Sequence, residues 1–432
     1  MEVEKMKILV VGGGGREHAL CSALRRNRST NDLQLYCSPG NAGIVETARC
    51  LTWVATDVRG LVDFAASEKI DLTIVGGEAS LAAGLVDEFS ARGLRAVGPD
   101  RRAARLEASK IFAKSFMARH NIPTARWRAA RGASEARDIL RGGEFGGADA
   151  PIVIKADGLA AGKGVVVARH QREAEEAVNE LGGEEGAPQP LLIEEALAGR
   201  EASLLLFADG RNYSLMPAAR DHKRIGENDT GPNTGGMGAV TAPEVLDEAT
   251  LARVKREIVE PTLDGARAEN IPFRGILFIG LMLTADGPRV LEYNVRFGDP
   301  EAQAITVRLQ SDLIEICESI VEGTLDRTTV RWSHDASACV VLAAPGYPAS
   351  PVTGSLITGL ERVRADHPEV HVFHAGTARG ADGSWVTAGG RVLGVTATGP
   401  TLEEALSRCY SAVGEISWEG MQYRRDIGKF KV

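Results

Sequence analysis

Between residues 7 and 97 short apolar runs alternate with longer helical ones, and this alternation limits the fold more than any other feature of the chain. Residues 7–11, 33–37, 71–75 and 94–97 read as strands. Residues 58–67 and 81–91 read as helices, and another helix opens at Arg16 behind the turn at 12–15. Strands that alternate with helices imply a parallel sheet covered on both faces, because each crossover must travel over one face. Gly98-Pro99 closes the last strand, and the unit ends near residue 105.

At 432 residues the chain is too long for one ordinary core. Its patterns divide it into a Rossmann-like unit over 1–105, a central unit over 106–329 and a small α+β domain over 330–432. A helix over 109–120 is stopped by Ile122-Pro123-Thr124. Residues 125–190 read as a small β-rich lobe with two helices, and 191–325 as a larger mixed lobe. Strands recur at 338–343, 370–374, 385–387 and 392–398, before a helix over 401–414. A net charge of −8 argues against a nucleic-acid partner, which would need a basic face. No apolar run reaches the length of a membrane span. The six cysteines are scattered without paired spacing, as expected of small buried hydrophobes in a reducing cytoplasm.

The chemistry concentrates in Leu291-Glu292-Tyr293-Asn294-Val295-Arg296-Phe297-Gly298-Asp299-Pro300-Glu301. Read as a strand, it puts Glu292, Asn294 and Arg296 on one face while Leu291, Tyr293 and Val295 anchor the other. A carboxylate and a carboxamide oxygen suit a hard cation, and an arginine fork suits a second anionic oxygen. A solvated edge strand would give the same pattern.

Two glycine-rich loops accompany it. Gly12-Gly13-Gly14-Gly15-Arg16-Glu17-His18 joins a strand to a helix, a context for binding phosphate on helix-terminal amides. The third glycine of a dinucleotide fingerprint would fall on Glu17 or His18, so the loop suits a phosphate other than that of NAD, or is a tight turn. The second loop, within 151–167, resembles a P-loop but has three residues between Gly158 and Gly162, and Gly164 where Ser or Thr should stand. A strand on each side makes it a hairpin tip, with Lys155 and Lys163 supplying charge for a triphosphate. Downstream, Leu191-Leu192-Ile193-Glu194-Glu195 ends an apolar strand in carboxylates. Its edge could meet adenine, with Glu201 on the ribose, or the charges could be solvated.

These pieces in this order resemble the ATP-grasp fold. Further stretches narrow the resemblance to the glycinamide ribonucleotide synthetase (phosphoribosylamine–glycine ligase) family. They include 12–20, 38–43, Ser109-Lys110 with Lys114, and Asp221-His222-Lys223-Arg224. Gly231-Pro232-Asn233-Thr234-Gly235-Gly236-Met237-Gly238, 296–301, 374–377, 389–394 and 423–428 complete the set. The family usually has Gly-Pro-Glu-Ala-Pro-Leu where this chain has Gly76-Gly77-Glu78-Ala79-Ser80-Leu81, a change expected to loosen that loop without removing Glu78.

The resemblance implies that ATP activates glycine as an acyl phosphate, which the amine of 5-phosphoribosylamine then attacks. It implies a monomer using Mg2+ or Mn2+. By motif position Lys110, Lys155, Gly158, Gly162, Lys163 and Gly164 meet the nucleotide, with Glu194, Glu195 and Leu197 at adenine and Glu201 at ribose. Glu292 and Asn294 hold the metal, Arg296 the glycyl carboxylate, and Asp299 steers an amine. Gly14, Gly15, Arg16, Glu17 and Asn41 cradle the sugar phosphate, while Asp221, Lys223, Asn233, Thr234, Gly235 and Gly236 floor the meeting place of the substrates. Three alternatives stand beside this reading: another ATP-grasp carboxylate–amine ligase, a biotin-type carboxylase, or a nucleotide-binding regulator without turnover. His367, His371 and His374 are read as buried or surface histidines, because residues three apart on a strand face opposite sides.

Overall fold

The computed structural model describes residues 5–26, 28, 32–159, 164–183 and 187–429. Its first unit contains β1 (Met6–Gly12), α1 (Gly15–Arg25), β2 (Leu33–Pro39), β3 (Arg49–Cys50), α2 (Val58–Glu68), β4 (Leu72–Val75), α3 (Glu78–Ala82), α4 (Leu85–Ala91) and β5 (Ala96–Val97). The strands form one parallel sheet in the order β3-β2-β1-β4-β5. The helix expected over 81–91 is two, because Gly84 stands at φ +85 between α3 and α4, a conformation that glycine adopts without strain. Both faces of β1 are buried: Ile8 and Val10 enter one core, Leu9 and Val11 another.

Two helices, α5 (Arg101–Ala108) and α6 (Lys110–Arg119), then meet at Ser109. Its hydroxyl accepts the Phe112 N–H at 3.1 Å and so caps α6. The small lobe follows with β6 (Trp127–Ala130), α7 (Ala133–Arg141), β7 (Ile152–Ala156), β8 (Val165–Ala168), α8 (Gln171–Leu181) and β9 (Leu191–Glu195). Its antiparallel sheet runs β6-β9-β7-β8. The lobe therefore extends past the expected limit of 190, since β9 is an interior strand of its sheet. Its core, from Ala130 to Ile193, is built from its own residues.

The larger lobe holds β10 (Arg200–Asp209), β11 (Tyr213–Leu215), β12 (Ala219–Asp221), β13 (Arg224–Gly226), β14 (Thr230–Asn233), β15 (Gly238–Thr241), α9 (Glu248–Val254), α10 (Glu260–Ala268), β16 (Arg274–Thr284), β17 (Gly287–Asn294), α11 (Glu301–Thr306) and α12 (Leu313–Glu322). The C-terminal part adds β18 (Ala336–Ala343), α13 (Leu360–Asp366), β19 (Val370–His374), β20 (Thr377–Arg379), β21 (Trp385–Thr387), β22 (Arg391–Gly399) and α14 (Leu402–Val413).

One sheet crosses the expected boundary at 329/330. Its order is β17-β16-β10-β12-β15-β18-β22-β19, with β11 beside β10. The join is antiparallel pairing of β15 with β18, from Gly238 opposite Val340 to Thr241 opposite Ser337. The first unit is fused to the larger lobe in a different way: Leu9, Val11 and Phe89 share a core with Leu204, Ile279 and Val290. No described helix is long and apolar enough to cross a membrane.

Candidate active site

β17 carries the expected row, altered by one residue. Glu292 pairs with Gly280 of β16, but the next pair is Val290 with Leu281, so Leu291 is bulged out of register. Val290 rather than Leu291 therefore joins Tyr293 in the core. The Leu291 carbonyl instead accepts from Lys155 Nζ at 3.3 Å. The strand ends at Asn294, so Arg296 stands in the following bend and not in the row. A Cβ at Gly280 would lie 3.2 Å from Glu292 Cγ, so glycine leaves room for that side chain.

Cations surround Glu292. Burial raises a carboxyl, yet Lys223, Lys155, Lys110 and Arg296 together hold Glu292 below the usual carboxylate range, and it stays ionised. Behind it lies a buried triad: Glu194 pairs with Lys114 at 2.6 Å and with Lys155 at 2.7 Å. Lys114 Nζ also donates to Thr124 Oγ1, which donates to the Val290 carbonyl, both at 2.6 Å. Burial pushes Lys114 down to about 8 against the pull of Glu194.

This triad corrects the expectation for the strand-end carboxylates. β9 has neighbours on both sides, and the Glu194 carboxylate is taken by two lysines. Glu195 is engaged by Arg126, through its backbone N–H at 2.8 Å and its Nε at 2.7 Å. What leaves the sheet beyond them is the segment holding Leu197. Lys110 Nζ donates to the Gly158 carbonyl at 2.8 Å, and Asp157 accepts from Ser109 and the Ile111 N–H at 3.1 Å. The Gly164 carbonyl accepts the Ala156 N–H at 2.8 Å, closing the base of the β7–β8 hairpin. Gly162 and Lys163 lie outside the described residues.

Arg296 is gripped from several sides. Its Nε donates to Glu78 at 3.2 Å, and its Nη2 faces Glu107 at 3.0 Å and Asn294 Oδ1 at 3.2 Å. Its Nη1 donates to the Phe297 carbonyl at 3.2 Å, which leaves one Nη1 proton of the guanidinium for a ligand. Burial would lower its pKa, but Glu107 and Glu78 raise it, so the group is permanently charged. Ser80, two residues beyond Glu78, donates from its buried hydroxyl to the Ala55 carbonyl at 2.7 Å.

On the floor, Lys223 pairs with Glu201 at 3.2 Å. Thr234 sends both its N–H (2.7 Å) and its hydroxyl (2.8 Å) to the Lys223 carbonyl. Asn233 closes β14 opposite Arg224, and Gly236, at φ +110, lies against Pro300. Burial raises the Asp221 carboxyl, and burial with the Asp221 charge pushes Glu301 up to about 8.

The first glycine loop is tied differently from expectation. Glu17 accepts the Gly14 N–H at 2.6 Å and Arg16 Nε at 2.6 Å, so it caps α1 from within. Arg16 Nη1 reaches the Phe297 carbonyl at 3.0 Å. Asn41 donates to the Gly13 and His374 carbonyls at 2.9 and 2.8 Å and accepts the N–H groups of Gly43 and Ile44. Glu17 and the Asn41 side chain are thus spent on protein bonds and are not free to grip a phosphate. Gly15 packs against Gln303.

Beside this loop lies a polar cavity of about 460 Å3, lined among others by Gly13, Gly14, Gly40, Asp299, Thr377 and Arg391. Asp299 accepts from Gln303 Nε2 at 2.8 Å and pairs with Arg391 Nη2 at 3.2 Å. Burial would raise its carboxyl, but Arg391 and Arg16 hold it low. At the adjoining seam the His374 N–H donates to His18 Nδ1 at 2.8 Å. Burial lowers these rings to about 3 and about 4 respectively.

Sequence reasoning assigned no role to Glu78, Glu107, Glu301 or Arg391. Lys114 carried a faint signal, since it lies one helical turn beyond Lys110 on α6.

Comparison with known proteins gives a consistent result. The chain matches the family described as phosphoribosylglycinamide synthetase in three parts: the N domain over 6–107, the ATP-grasp (A) domain over 108–302 and the C domain over 337–430. It is 47% identical to the phosphoribosylamine–glycine ligase of Xanthomonas campestris pv. campestris over 431 residues, 98% of this chain and 97% of that protein. The crystal structure of a phosphoribosylamine–glycine ligase from Thermotoga maritima superposes with a TM-score of 0.82 at 34% identity, covering 98% of this chain and 100% of the other. A Campylobacter jejuni biotin carboxylase complex reaches a TM-score of 0.72 at 15% identity, over 97% of this chain and 93% of the other, a likeness of fold alone.

Proposed function

The chain belongs to the phosphoribosylglycinamide synthetase family, and on that basis we propose how its residues divide the work. The enzyme is an ATP-dependent ligase of purine biosynthesis. It joins glycine to 5-phosphoribosylamine through a glycyl phosphate, giving glycinamide ribonucleotide, ADP and phosphate. In our reading ATP lies between the small-lobe sheet and β17. Adenine meets the backbone at Leu197, ribose meets Glu201, and Lys110 and Lys155 face the phosphates. Glu194 does not touch the nucleotide in this scheme. It fixes Lys155, with Lys114 behind it.

The donor set at Glu292 and Asn294 fits Mg2+ or Mn2+. One ionised carboxylate and one carboxamide oxygen are hard ligands, and phosphate oxygens and water complete such a sphere. The four cations around Glu292 would repel a bare metal ion, and the negative charge of a triphosphate would offset that repulsion. When bound, the metal would screen the charge of the phosphates as the γ-phosphoryl group moves. The remaining Nη1 proton of Arg296 holds the glycine carboxylate, and the clamp of Glu78, Glu107 and Asn294 fixes its direction. Asp299 draws the amine of phosphoribosylamine, whose sugar phosphate lies in the cavity beside Gly14. Asp221, Lys223 and the turn at 233–236 form the floor. Phosphoryl transfer of this kind rests on positioning and charge, so no nucleophilic side chain is required.

The observation that carries this assignment is a single ionised carboxylate ringed by Lys110, Lys155, Lys223 and Arg296. Glu292→Ala should lower kcat by at least about 1000-fold with its far-ultraviolet circular dichroism unchanged. Wild-type turnover by Glu292→Ala at saturating Mg2+ would remove the metal assignment. We also take the enzyme to be a cytoplasmic monomer without a membrane partner, and its net charge of −8 argues against a nucleic-acid partner. Light scattering at micromolar concentration should return the mass of one chain.

A further inference from the structure

We propose that Arg391, from the C-terminal domain, grips the 5-phosphoryl group of the ribose substrate side-on, and so makes that domain the phosphate reader of the enzyme. The inference rests on the functional reading above and adds a residue to which that reading gave no role. It starts from the cavity beside Gly14. The groups there that sequence alone would choose for a phosphate are already committed: the Gly14 N–H to Glu17, and the Asn41 carboxamide to four backbone groups. Among the described residues that line the cavity, Arg391 is the one cation.

Its guanidinium is half used. Nη1 donates to the Gly235 and Asp299 carbonyls, both at 2.6 Å, and Nη2 faces the Asp299 carboxylate at 3.2 Å. Neither Nε nor Nη2 makes a hydrogen bond among the described residues, and Nε–H and one Nη2–H lie parallel on one edge of the planar group. Two parallel donors on a fixed arginine match two oxygens of a phosphate, and lysine cannot reproduce that geometry. The bonds already made hold the fork rigid, so little entropy is lost when the ligand arrives.

The charges around the cavity are arranged in the same sense. Gly13 and Gly14 bring the N-terminus of α1, an eleven-residue helix, to the cavity wall, where its dipole favours an anion. Asp299 is the negative group of the cavity, and Gln303, Arg391 and Arg16 compensate it. A ribosylamine phosphate carries an amine at one end and an anion at the other. Asp299 suits the first and the open edge of Arg391 the second.

The test uses the reverse reaction of the full-length enzyme, with ADP, phosphate and either glycinamide ribonucleotide or its 5′-dephosphorylated nucleoside. Wild type should prefer the phosphorylated substrate strongly, and Arg391→Met should reduce that preference by about 10- to 100-fold. The KM for ADP should stay unchanged. Arg391→Lys, which keeps the charge but loses the fork, should fall between the two and serves if the methionine variant does not fold. An equal loss on both substrates would overturn the proposal, because Arg391 would then only brace the loops at 235 and 299. Wild type that turns over neither substrate would overturn the functional reading itself.

Discussion

Glu194 answers two buried ammonium groups, so the two ways of breaking the triad should differ. Glu194→Gln removes the carboxylate that pairs directly with both Lys114 and Lys155 and should cost about 3–5 kcal/mol in urea unfolding. Lys114→Met leaves a matched Lys155–Glu194 pair and should cost less than half as much. The sequence showed Glu194 as a strand-end carboxylate, but not that Lys114 of α6 and Lys155 of the neighbouring β7 would enclose it. That depends on sheet order and on the packing of α6, which a single strand does not encode. Ser80 makes the same point in reverse. The loss of two prolines around Glu78 read as a loosened loop, yet the Ser80 hydroxyl supplies a buried tether to Ala55. Ser80→Ala should therefore cost about 1 kcal/mol of stability, measured by thermal unfolding, with kcat unchanged.

At the level of elements, β17 shows how far a period-two pattern carries. The alternation located the strand and put Glu292 and Asn294 on it. It could not show the bulge at Leu291, which arises from pairing with β16, nor that Arg296 falls beyond the last paired residue. The partner strand matters as much as the row itself, since Gly280 makes space for Glu292. Gly280→Ala would force Glu292 Cγ to give way by a few tenths of an ångström. It should lower kcat about tenfold, with the melting temperature little changed, as expected when a ligating group is displaced slightly. Helices with alanine-rich faces such as α5 escaped the reading for a simpler reason: Ala103 and Ala104 mark a buried face too weakly to be seen.

Across the whole molecule, the first unit and the C-terminal domain meet at His18 and His374, held neutral by burial at about 4 and about 3. Both should titrate near 6.5 in the unfolded chain, so below that value the unfolded state binds more protons and the folded state loses ground. Their contribution to stability is complete above pH 6.5 and falls as pH drops towards 4, by about 1.4 kcal/mol per unit for each ring. His374→Gln should show a shallower acid slope than wild type by about one proton, measured by urea titration between pH 7 and 4.5. Three successive units were legible from composition and periodicity, but their junctions were not, because cores and sheets that span units join residues far apart in sequence. The junction at β15 and β18 has a bearing on ancestry and on protein production alike. A chain stopped at residue 330 would bare a row of unpaired backbone groups along β15, inviting a foreign strand and aggregation. Any rearrangement that moved this C-terminal segment to another gene would have to leave a substitute strand behind.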